Sequence, residues 1–95
     1  MSPKNINKLK KLRKSLDKLD NLFIKLIKRR TDLVKQVLKL KENKNQIIDR
    51  KRINYILKQI KKKSIKNKID PKITNRIWKN MIWSYIDFER RNFKK

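Results

Sequence analysis

The sequence predicts an all-α chain of three helices: one very long, one short and one of medium length. Three observations carry this. The 95 residues contain no Gly and only two Pro, so the residues that break helices are nearly absent. The apolar residues recur in steps of three and four, the period of one helix face. No stretch alternates apolar and polar residues as a half-buried strand does, and no internal repeat is present.

The first helix is predicted from about Asn5 to Lys41. Its stripe runs Leu9, Leu12, Leu16, Leu19, Phe23, Leu26, Leu33, Val37 and Leu40, widened by Ile24, Ile27, Val34 and Leu38. Such a helix is about 55 Å long, whereas a compact chain of this size is roughly 32 Å across. The stripe continues along the overhang, and the simplest cover for it is a second copy of the chain related by a two-fold axis. The segment 42–48 (ENKNQII) breaks the pattern and reads as a loop. Asp49 is placed to cap a second helix of about Asp49 to Lys66, with Ile53, Ile56, Leu57 and Ile60 on its apolar side and Lys58–Lys68 solvated. Asp70-Pro71 is a helix start, and the third helix, 71–92, carries Ile73, Ile77, Trp78, Met81, Ile82, Tyr85, Ile86 and Phe88.

Composition limits the chemistry. There is no Cys and no His, which excludes disulfides, Cys- or His-based metal sites and nucleophile–histidine catalysis. Without Gly there is no phosphate-cradling loop. No apolar run reaches the length of a membrane span. Met1–Leu9 holds no secretory segment, so a reducing, cytoplasmic location is expected. Against 31 Lys and Arg stand 8 Asp and Glu, a net charge of +23. That surplus suits either a binder of anions or an Ile-, Lys- and Asn-rich composition with no bearing on function.

A few charges fall where the periodicity asks for apolar residues. Arg30 fills the gap in the first stripe between Leu26 and Leu33. A cation there either reaches out at the stripe edge, pairs with a carboxylate, or binds a ligand. Lys41 follows eleven residues later, within about 20° of the same helix face and about 16 Å further along. The two side chains suit opposite ends of one small dianion. Arg13 lies about 25 Å from Arg30, too far for the same ligand on one helix but within reach of a partner's in an antiparallel dimer. On the third helix Glu89 follows Tyr85 by four and Ile82 by seven, an acid on an apolar face. Arg52 lies one turn into the second helix, beside Ile53.

These segments together resemble the all-helical chorismate mutases. The run 12–20 (LRKSLDKLD), Leu26-Ile27-Lys28-Arg29-Arg30, Leu33-Val34, Val37 and Lys41 is similar to that family's first helix. The stretch 48–52 (IDRKR) with Ile56-Leu57 is similar to the start of its second helix. Asp70-Pro71, Ile77-Trp78, Met81-Ile82, Tyr85-Ile86 and Glu89 are similar to its third. The resemblance covers about Leu9 to Phe93.

It implies an intertwined homodimer of three-helix chains with two sites for the dianion chorismate, rearranged to prephenate without cofactor or metal. Lys41, Glu89 and Arg30 would be the catalytic groups. Arg30 and Arg52 would hold the carboxylates, with Arg13 supplied by the partner chain. Lys41 would meet the ether oxygen and a carboxylate, Glu89 the ether oxygen from the other side, and the backbone near Asp49 the ring hydroxyl. Val37 and Ile82 would form apolar walls, and Ile53 and Tyr85 would also line the substrate.

Two positions depart from the family's usual pattern. Many members have Gln where this chain has Glu89. A carboxylate repels the developing oxyanion, so Glu89 would act protonated; apolar surroundings favour that form and nearby cations oppose it. Most mutases have Glu directly after the arginine at 52, where Ile53 stands. The related isochorismate-pyruvate lyases tolerate an apolar residue there, which makes lyase activity the alternative.

A reading of another class is a basic helical binder of nucleic acid, supported by Lys58–Lys68, by Arg90, Arg91, Lys94 and Lys95, and by Trp83, Tyr85, Phe88 and Phe93 as stacking groups. The lysines are spread over all three helices and no DNA-binding motif appears. The four aromatics therefore read as core residues of the third helix, with no specific nucleic acid and no membrane as partner.

Overall fold

A computed structural model describes residues 1–94. Their helices are α1 (Pro3–Leu40), α2 (Arg50–Lys66) and α3 (Pro71–Asn92), with one 3-10 turn, Lys44–Gln46, between α1 and α2. Lys95 lies outside the described residues. Among these residues there is no strand, and no helix is long and apolar enough to cross a membrane.

Helix α1 starts two residues before the predicted point. Pro3 takes its first position, and the Ser2 hydroxyl accepts from the Asn5 N–H at 3.2 Å, so Ser2-Pro3 is itself a start signal. The helix ends at Leu40, one residue short of the prediction, and Lys41 donates its N–H to the Leu38 carbonyl at 3.1 Å.

Asp49 caps α2, as predicted, and Arg50 is its first residue. The Asp49 carboxylate accepts from the Arg52 N–H at 3.0 Å. Helix α2 ends at Lys66, as predicted. Ile69 N–H returns to the Ser64 carbonyl (2.9 Å) and Lys68 N–H to that of Ile65 (3.1 Å), with Lys68 in the left-handed region at φ 57°. This is a Schellman closure with lysine in the place glycine usually takes. Asp70 caps α3 through the Lys72 N–H, and Pro71 opens it, as predicted.

The chain divides into residues 1–33 and residues 34–95. The first unit is the leading stretch of α1. Leu12, Leu16, Leu19, Leu22, Phe23 and Leu26 are all exposed on it. The second unit has a small core of Leu38, Ile47, Ile82 and Ile86, against which Ile48, Ile53, Ile56, Leu57 and Phe93 pack. Here α2 and α3 pack together. Buried Ser64 links them, donating to the Ile60 carbonyl and sharing a 2.6 Å hydrogen bond with Thr74 of α3. The predicted aromatic core of α3 is corrected at Trp83, which is exposed, while Tyr85, Phe88 and Phe93 are half-buried.

Candidate active site

Among the described residues Glu89 is the most buried charged one, 6% exposed, on the face of α3 that also buries Ile82 and Ile86. An isolated carboxylate there is costly. Lys41 offsets that cost: its Nζ donates to Oε1 at 3.2 Å and lies 3.4 Å from Oε2. The two side chains are 18% and 8% exposed, so the pair is far less screened than the surface pairs Lys28–Asp32 and Arg91–Asp87. Lys41 is placed by the end of α1, one residue past its last helical position. An ammonium has three N–H donors, so contact with both oxygens of Glu89 leaves one for a ligand.

A cavity of about 630 Å³ adjoins Lys41, within the size range of small-molecule sites. Val37, Leu40 and Ile48 line it as apolar walls, and Asn45, Gln46, Asp49, Arg50 and Lys51 as its polar side. The structure thus brings four predicted site residues together: Val37, Lys41 and Asp49 on the cavity, and Glu89 through its ion pair with Lys41. Ile53 and Ile82 are in the adjoining core, and Tyr85 is half-buried on α3. Arg52 is exposed on α2 with its guanidinium 5.3 Å from the centre of the Tyr55 ring. Arg13 and Arg30 belong to the other unit, Arg13 exposed and Arg30 half-buried on α1.

The sequence reading missed the residues of the connecting segment. Gln46 reaches back with its side-chain oxygen to the N–H groups of Glu42 (2.6 Å) and Asn43 (3.3 Å). Asn43 followed by Gln46 is the spacing of a helix start, and that signal locates the turn. A second groove of about 520 Å³ lies between α2 and α3, rimmed by Lys58, Lys61 and Lys72. It holds none of the predicted site residues.

Among the described residues no group of three or more Asp or Glu is placed to hold a metal ion. The chemistry offered is electrostatic: a half-buried cation, a buried acid beside it, and apolar walls.

Residues 12–90 match the chorismate mutase type II family. The chain belongs to that family. A curated chorismate mutase from Methanocaldococcus jannaschii is 35% identical over 78 residues, covering 81% of this chain and 79% of the relative. No solved structure matches the chain at a comparable level. Within a chorismate mutase of this type, the match spans every residue of the cavity and of the Lys41–Glu89 pair.

Proposed function

We propose that this chain converts chorismate to prephenate as a cytoplasmic homodimer whose two sites each take Arg13 from the partner chain. The observation that carries the reading is the pair of half-buried Lys41 and buried Glu89 beside a cavity walled by Val37 and edged by Asp49, in a chain of this family.

The rearrangement is pericyclic. It breaks a C–O bond and forms a C–C bond with no nucleophile, general base or cofactor. A site accelerates it by holding the enolpyruvyl arm over the ring and by stabilising the charge that develops on the ether oxygen. Lys41 supplies the cation at that oxygen through the N–H that Glu89 leaves free. Glu89 keeps the ammonium in place. Arg30, Arg52 and the partner's Arg13 hold the two carboxylates, and Val37 and Ile82 press on the ring. The net charge of +23 attracts the dianion.

The homodimer is supported by the exposed apolar face of residues 1–33. An uncovered stripe of that length on a monomer is an association surface.

The test is turnover with complementation. The protein forms prephenate from chorismate and gives no salicylate and pyruvate from isochorismate; the reverse result makes it a lyase. Arg13→Ala and Lys41→Ala each lose about 10²–10³ in kcat/KM. Refolded together in equal amounts, the two inactive chains recover about a quarter of the wild-type activity. Random pairing makes half the dimers mixed, and one of the two sites in each mixed dimer is intact. No recovery removes the shared site from the reading and leaves the mutase assignment standing.

A further inference from the structure

Chorismate offers a protein two carboxylates, an ether oxygen and a ring hydroxyl. Lys41 and the arginines suit the first three. The hydroxyl is neutral and both donates and accepts, and its natural partner is a side chain that does the same. The backbone near Asp49 can meet it from one side, but helix α2 offers no side chain beside Arg52, because Ile53 packs against the core of Leu38, Ile47, Ile82 and Ile86.

The cavity beside Lys41 has three other polar side chains without positive charge: Asn45, Gln46 and Asp49. Gln46 spends its carbonyl oxygen on the N–H groups of Glu42 and Asn43. Asp49 spends one oxygen capping Arg52, and a carboxylate is a poor neighbour for a dianion. The Asn45 side chain makes no hydrogen bond to another described residue and is exposed at the cavity. Its backbone sits in the 3-10 turn that Gln46 ties down. A primary amide carries two donors and an acceptor, and the tied turn spares the backbone's share of the ordering cost.

We propose that Asn45 hydrogen-bonds the ring hydroxyl of the substrate and sets which hydroxylated ring the site accepts. This rests on the mutase reading above and adds a residue to it. The turn 44–46 thereby performs selection, while Lys41 and Glu89 perform the rearrangement.

The test is a two-by-two binding cycle. The probes are the oxabicyclic diacid that mimics the rearranging substrate, and the same diacid with its ring hydroxyl replaced by hydrogen. Wild type binds the hydroxylated probe more tightly. Asn45→Ala weakens that probe about three- to tenfold, the range for one neutral hydrogen bond, and leaves the other within about twofold. With chorismate the loss appears in KM and not in kcat. Far-UV circular dichroism confirms the helices of the variant, and Asn45→Ser repeats the cycle if Asn45→Ala is unfolded. Equal weakening of both probes, or of neither, overturns the role of Asn45 with the mutase reading intact. Failure of wild type to bind either probe overturns both.

Discussion

Residues 3–33 and residues 34–94 of this chain draw on the same apolar side chains at the same helical spacing, and they end in different states. In the first stretch Leu12, Leu16, Leu19 and Phe23 stay more than half exposed. In the second, Leu38 near the end of the same helix is 8% exposed, because it meets Ile47, Ile82 and Ile86 from the residues that follow. A helix cannot cover its own stripe; burial needs a second element. The end of α1 has such an element in its own unit, and the leading stretch is a single helix. The charged residues follow the same division. Lys41 meets its acid within its own unit, whereas Arg13 is exposed.

The most severe way to break this comparison is to put charge on the bare stripe. Leu19→Asp with Phe23→Asp removes two apolar side chains, each contributing about 1.5–3 kcal/mol when covered, and a two-fold interface counts them twice. The variant sediments as a monomer and loses measurable turnover. Lys25→Asp, on the opposite side of the helix, leaves both unchanged. A monomeric double variant that keeps its activity would remove the dimer from the proposed mechanism.

The same division marks how far the sequence could be read. The helices were legible because Asp49, Asp70 and Pro71 are local start signals and the apolar steps are local too. The end of α2 at Lys66 was legible too, but its closure was not, since Lys68 occupies a left-handed position that glycine would have flagged. At the site, Glu89 stood out as a charge out of pattern, and Lys41 by lying on the same helix face as Arg30. The pairing of Lys41 with Glu89 spans 48 positions and depends on how the end of α3 meets the end of α1, which no periodicity encodes. The cavity's Asn45 and Gln46 lie in a segment with no period at all. Arg52 was picked by resemblance, and its stacking on Tyr55 follows from a spacing of three on one helix face.

A smaller effect sharpens the contrast between the paired and the exposed charges. Glu89→Ala takes away the acid that Lys41 meets at 3.2 Å and leaves that half-buried cation uncompensated, a loss of about 3 kcal/mol in urea unfolding. Lys28→Ala and Arg91→Ala break pairs that are exposed at both ends and cost no more than about 1 kcal/mol. If Glu89→Ala costs no more than these two, the depth of the Lys41–Glu89 pair contributes nothing to the fold.

The smallest effect concerns the joint between α2 and α3. Lys68 holds φ at 57° so that Ile69 and Lys68 can close the last turn of α2. A side chain with a Cβ pays about 1–2 kcal/mol there. Glycine removes that cost but brings extra freedom to the unfolded chain, worth roughly 0.5–1 kcal/mol. The net gain from Lys68→Gly is therefore about 0.5–1 kcal/mol, a rise of a few degrees in Tm at fixed protein concentration. The substitution also deletes one of 31 basic charges, and relief of repulsion alone would raise Tm as well. Lys68→Ala deletes the same charge and keeps the Cβ, so it separates the two causes. If the backbone is responsible, Gly melts higher than both Ala and the wild type, and Asn, which tolerates this region, falls between. If Ala rises as much as Gly, the gain belongs to the charge and the left-handed lysine costs nothing measurable.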